Sequence, residues 1–167
     1  MGIGRIGRHL LLNRGRVRRA FSPEALANIE RAIEAGEATH PGQVRFAVEG
    51  ALDGAPLFRD QSARARAIDV FARLRVWDTA HNNGVLIYLL LAEHRIEIVA
   101  DRGLDRHVSA SQWREVMERM RASFRQGEFE AGLNAAIDAV DALLVQHFAL
   151  APGQSNPNEL PDRPHLR

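Results

Sequence analysis

No cysteine occurs among the 167 residues, so disulfides, thiol nucleophiles and cysteine-ligated zinc or iron–sulfur centres are excluded from this chain. Lysine is missing too, because all 22 basic residues are arginine. That removes lysine Schiff-base chemistry and the P-loop, whose phosphate grip needs a lysine amine. The longest apolar run, Gly84 to Ala92 with Tyr88 inside it, is far short of the roughly 20 residues that cross a bilayer. Met1 to Leu12 carries a short apolar patch without the long h-region or small-residue cleavage site of a signal peptide, so a cytoplasmic chain is expected. A net charge of only +1 gives no overall nucleic-acid footprint. The EF-hand loop, the HExxH helix and the GxSxG elbow do not occur either. Gly2-Ile3-Gly4 with Gly7 lacks the preceding strand that a dinucleotide fingerprint requires.

What is present suits one folded domain: 46% hydrophobic and 26% charged residues in a chain long enough to bury a core unaided. The charge is unevenly spread. Residues 1–20 hold Arg5, Arg8, Arg14, Arg16, Arg18 and Arg19 and no acid, which leaves the remainder net acidic. Ile3, Ile6 and Leu10 recur at helical spacing beside those arginines, so the tip reads as an interfacial helix for anionic lipid, an arm for nucleic-acid phosphate, or a solvated helix packed on the domain. Three glycines in its first seven residues weaken it as an isolated helix.

Ser22-Pro23-Glu24 is a helix start, with Leu26, Ile29 and Ile33 on one stripe and Gly36 near the end. Val44, Phe46 and Val48 alternate with Arg45, Ala47 and Glu49, the period of a half-buried strand. A helix over about Ser62 to Arg75 carries Ala67, Val70, Phe71, Leu74 and Trp77. The Gly84–Ala92 run reads as a central strand, and Glu93-His94 turns it into Arg95–Ala100 to make an antiparallel hairpin. Ser109 or Ser111 caps a helix bearing Trp113, Val116, Met117, Met120 and Phe124, and Phe129 to Phe148 forms the last long helix. Trp77 and Trp113 are expected on core stripes. The expected division is a basic segment over 1–21, an α/β domain over 22–150, and a Pro-rich flexible tail over 151–167.

Helices before, between and after three strands predict a mixed β-sheet of at least three strands sandwiched between α-helices, with a parallel crossover from the first strand to the second. Asp78–Asn83, Asp101-Arg102 and Thr39–Gln43 then meet at one sheet edge, and Glu49 lies at the other. Asp78, Asp101, Asn82 and Asn83 offer hard oxygen ligands suited to Ca²⁺ or Mg²⁺. Asp-Thr and Asn-Asn-Gly are equally routine turn formers and caps, and Asp101-Arg102-Gly103 equally fits a local ion pair. His40 reads as a general acid or base, a metal ligand, or a solvated loop side chain.

Val76-Trp77-Asp78-Thr79, Asn82-Asn83-Gly84-Val85-Leu86-Ile87-Tyr88 and Ile96-Glu97-Ile98-Val99-Ala100-Asp101-Arg102-Gly103, with Phe124-Arg125-Gln126-Gly127 and Phe129-Glu130-Ala131-Gly132, resemble the TPM domain family from about Ser22 to Phe148. The resemblance implies an α/β sandwich of the single-domain type without a membrane anchor, a phosphatase or nucleotide-hydrolase activity, divalent-cation binding, and site residues at Asp78, Asn83 and Asp101. Gly42-Gln43 stands where relatives commonly carry Gly-Glu, so Gln43 would offer the ion an oxygen without a charge. Two functions are expected from these features. In the first, Asp78 and Asp101 hold the cation, Arg102 clamps a phosphorylated small molecule or nucleotide, and His40 protonates the leaving oxygen. In the second, a non-enzymatic calcium-binding or protein-interaction module acts near a membrane surface that the basic tip touches.

Overall fold

The computed structural model describes residues 4, 5, 7, 9 and 15–167. Helix α1 (Gly15–Ala20) leads into α2 (Pro23–Glu37). The start of α2 is the one Ser22-Pro23 predicts: Ser22 Oγ accepts from the Ala25 amide at 3.1 Å, and proline fills the first turn, where no amide is needed. Such a cap contributes about 1 kcal/mol. Strand β1 (Gln43–Glu49) follows, then α3 (Gly54–Phe58), α4 (Ala63–Arg73), β2 (Gly84–Leu90) and β3 (Arg95–Ala100). Between β2 and β3 lies a single 3₁₀ turn, Leu91–Glu93, closed by His94 at φ 51°. Helix α5 (Ala110–Arg125) begins with a capping box in which Ser109 and Gln112 satisfy each other's backbone amides. Helix α6 (Phe129–Phe148) and a two-residue strand β4 (His165–Leu166) complete the order.

The four strands lie in the order β3-β2-β1-β4; β1 runs parallel to β2 and β4, and β2 runs antiparallel to β3. This is the mixed sheet between helices that the sequence predicts. Even-numbered residues of β1 (Val44, Phe46, Val48) and odd-numbered residues of β2 (Val85, Ile87, Leu89) face a core completed by Ile29 and Ile33 of α2, Met120 of α5 and Ile137 and Leu144 of α6. The opposite face packs Ala47, Leu86, Tyr88 and Leu90 against Ala67 and Val70 of α4 and against Leu57, Val76 and Leu160. Three layers result, because each amphipathic helix hides its stripe on one face of the sheet.

Several expectations are corrected. Strand β1 is not half-buried: Arg45 is 6% exposed and Glu49 1%, since α4 and the C-terminal segment cover the face that the alternation assigned to solvent. Trp77 is 48% exposed rather than on a core stripe, because α4 ends at Arg73, before Trp77 can join its face. Trp113 does pack against the first core. The segment after Ala151 is not a loose tail. Leu160 enters the second core, and β4 joins the edge of β1, where Arg167 exchanges backbone hydrogen bonds with Val48 O (2.9 Å) and Gly50 N (2.8 Å).

Of the basic tip, Arg8 and Arg14 and the apolar Ile3, Ile6 and Leu10 lie outside the described residues. Arg5 is engaged on the domain itself, donating to Glu93 Oε1 (2.7 Å), Asp60 Oδ1 (2.6 Å) and Gln61 O (2.6 Å). Nearby His9 is buried between Glu93 and the Leu52 amide. Among the described residues no helix is long and apolar enough to cross a membrane.

Candidate functional site

The parallel pairing of β1 with β2 and the β2–β3 hairpin carry Gln43, Asn83 and Asp101 to one sheet edge. Gln43 stands opposite Gly84, and the Asp101 amide donates to Gly84 O at 2.8 Å. Two glycines let the loops close on each other. A Cβ at Gly84 would lie 2.0 Å from Val76 O, and one at Gly103 would lie 2.4 Å from Asn82 O; contacts that short leave room for no side chain. Gly103 N in turn donates to Asn82 O at 3.0 Å.

Asn83 is fully buried. Its amide donates to Thr79 Oγ1 (3.1 Å) and its Nδ2 to Pro41 O (3.0 Å), which orients the side-chain Oδ1; that oxygen has no partner among the described residues. Asp101 is nearly as buried. Its Oδ1 accepts from the Arg102 amide at 2.7 Å, and Oδ2 likewise has no partner among the described residues. Buried oxygens of this kind are few in folded proteins and mark places where water or an ion binds.

The other expected site residues do not join them. Asp78 has a side chain 49% exposed and pairs with Arg75 at 3.0 Å, so it closes the turn after α4. Asn82 takes the left-handed backbone at φ 52°, which serves the turn before β2. Gln43 is occupied on both ends: Nε2 donates to Asn156 Oδ1 at 2.6 Å and Oε1 accepts from the Leu160 amide at 2.8 Å. His40 is neither a solvated loop residue nor near a reacting centre; it is buried, with Nε2 against Asp141 Oδ1 at 3.0 Å. Arg102 keeps an exposed side chain beside Asp101. Among the described residues no three His, Asp or Glu side chains are grouped to hold a metal ion.

Sequence reasoning missed a polar layer beneath this edge. Glu37 ends α2 and caps the open Val44 amide through Oε1 at 2.6 Å, but its Oε2 is unpartnered. Burial pushes the Glu37 carboxyl up from its usual 4.5 to about 8; the Val44 amide opposes this, and Asp162 and Asp141 reinforce it. Burial also lowers Arg45, whose Nε and Nη1 find no acceptor, and raises Asp141 against the opposing His40 hydrogen bond. Asn156 ties the C-terminal segment over this layer, donating to His40 O (2.8 Å) and Gly42 O (3.1 Å). At the far end of β1, Glu49 accepts Arg66 Nε (2.7 Å), Arg66 Nη2 (2.5 Å) and Tyr88 OH (2.7 Å). A tyrosine inside a buried apolar run signals such a partner, because its hydroxyl must be satisfied.

A family model for the TPM domain matches residues 18–143, most of the chain and both loops of this edge. The chain belongs to the TPM domain family. Among solved structures it resembles the NMR structure of the BA42 protein from the psychrophilic bacterium Bizionia argentinensis, at 26% identity and a TM-score of 0.74, covering 88% of this chain and 95% of that one. The N-terminal domain of a P. gingivalis protein is 20% identical with a TM-score of 0.61 over 77% of this chain and 78% of that one, a likeness of fold alone. No curated protein matches. Within this TPM domain, Asn83 and Asp101 keep buried oxygens without a partner among the described residues, whereas Gln43 holds the C-terminal segment.

Proposed function

We propose that this TPM domain is a divalent-cation-binding module that takes Ca²⁺ at the Asn83–Asp101 edge. The observation that supports this reading is the pair of buried side-chain oxygens, Asn83 Oδ1 and Asp101 Oδ2, that no donor among the described residues reaches. Hard oxygens suit Ca²⁺, which accepts amide, carboxylate and loop carbonyl ligands in irregular geometry. A single buried carboxylate supplies little charge, and Gln43 adds none, so the expected affinity is weak, on the order of 10⁻⁴–10⁻³ M. A phosphohydrolase is the second reading, favoured by one feature: the exposed Arg102 guanidinium follows Asp101 directly and suits a phosphate. In that reaction the cation would supply Lewis acidity. His40 has no part in it, because its ring is committed to Asp141 in the interior.

A calcium titration followed by amide NMR, run beside a phosphate-release assay, tests both. Shifts at Asn83, Asp101 and Gly103 that vanish in Asp101→Asn, without phosphate release, support the module. Release that D101N abolishes while the fold persists supports the enzyme. If calcium moves none of these amides, the edge is structural and both readings end.

A further inference from the structure

At the far end of β1, about 20 Å along the sheet from the cation edge by strand length, α3 and α4 enclose an open cleft of ≈ 540 Å³. Its walls include Pro56, Arg59, Gln61, Arg66, Asp69 and Arg73. That volume is within the range of small-molecule sites, roughly 300–1,000 Å³. The geometry points to a second ligand site here, one that takes a small molecule carrying a phosphoryl or diphosphoryl group.

Arg66 is the fixed element. It is 3% exposed, and Glu49 holds Nε and Nη2 from behind while Tyr88 OH holds Glu49. The plane of the guanidinium is therefore set before any ligand arrives, so a ligand meets a donor that has no rotamer freedom left to lose. Its Nη1 has no acceptor among the described residues, and Glu49 offsets its charge. Two further positive charges come from Arg59 and Arg73, both exposed and both without an acceptor among the described residues, and Asp69 on the wall offsets one of them. The carboxylate on the wall, Asp69, is tied by Gln61 Nε2 at 2.6 Å. One rigid fork and two exposed guanidiniums around a cleft too large for a bare oxyanion fit a phosphate ester or diphosphate, because Arg pairs with phosphoryl oxygens bidentately. Nothing in this cleft requires the cation edge.

The test is an amide NMR titration of the full chain with sodium pyrophosphate at constant ionic strength and without divalent cation. Saturable shifts confined to residues 55–61 and 66–73 are expected, with affinity reduced at least tenfold in the Arg59→Gln/Arg73→Gln double variant and unchanged in D101N. Four results overturn the inference: no saturable shift, equal binding by the double variant, the same shifts from sodium chloride, or a response only to phosphatidate vesicles. The D101N arm separates failure here from failure at the cation edge.

Discussion

The two ends of strand β1 bury a glutamate each and treat it in opposite ways. At Glu49 three donors converge, and although burial alone would raise the carboxyl, the Arg66 and Tyr88 hydrogen bonds hold it below the usual range. At Glu37 one backbone amide is the only donor among the described residues, a buried arginine lies close without bonding it, and the carboxyl rises to about 8. Burial is similar in the two places. What differs is the number of hydrogen bonds to the charged form, and that number decides whether a buried acid stays ionised. Among the described residues Glu37, His40, Arg45, Asn83 and Asp101 keep unpartnered buried side-chain atoms toward the start of β1, Asn134, His147 and Asp162 carry others, and the Glu49 carboxylate has none. Local polar satisfaction is commonly given up where a protein binds something.

The largest expected effect comes from breaking the satisfied end. Arg66→Met leaves Glu49 buried with only Tyr88, which should cost about 3–5 kcal/mol in urea unfolding. The double variant Arg66→Met/Glu49→Met should recover much of that loss, because it removes the stranded charge as well as its partner. If the double variant is as unstable as the single one, packing rather than charge governs that end.

The two ends should also respond to pH with opposite sign. Glu49 ionises more readily folded than unfolded, so its contribution is present above its usual 4.5 and is lost as pH falls through the lower folded value. Glu37 ionises less readily folded, so its contribution is complete below 4.5 and is lost as pH rises toward about 8. Glu37→Gln keeps an acceptor for Val44 without the charge. It should therefore be near neutral at pH 4.5 and more stable than the parent by about 1–3 kcal/mol at pH 8, short of the full linkage value because water relaxes around such groups. A pH series of unfolding midpoints in which parent and variant run parallel would count against this account.

Smaller effects sharpen the comparison. Asn156→Ala removes the clasp on Gln43, His40 and Gly42 and should cost about 1–2 kcal/mol. Faster hydrogen exchange at the Leu160 amide, with β2 amides unchanged, is the expected signature. Tyr88→Phe removes one of three donors to Glu49, costs about 1 kcal/mol, and should shift the acid limb of the stability curve upward in pH.

The elements were legible wherever the deciding interaction is local. Ser22, Pro23 and Ser109 mark their helix starts within four residues, and the apolar run from Gly84 and the Ile96–Ile98 alternation fix the hairpin. Convergence of Asn83 and Asp101 followed from topology alone. What stayed hidden depends on partners far apart in the chain. Gln43 looks like a free amide until Asn156 and Leu160, more than a hundred residues on, take both its ends. Arg45 and Glu49 occupy the positions that alternation assigns to water, and only the covering by α4 and the C-terminal segment buries them. Asp78 is ambiguous in the sequence for a different reason, since a turn-closing carboxylate and a cation ligand share the same local pattern.

The two-residue strand β4 has a consequence beyond stability. Without it, β1 would present an unpaired ladder beside the apolar Phe46–Val48 stretch, the kind of edge onto which another chain adds as a further strand. Glu37 takes the Val44 amide, and Arg167 takes Val48 O and the Gly50 amide, so backbone groups along that side are spoken for. Strand β4, Arg167 and one carboxylate thereby cover that side of β1 against edge-to-edge pairing.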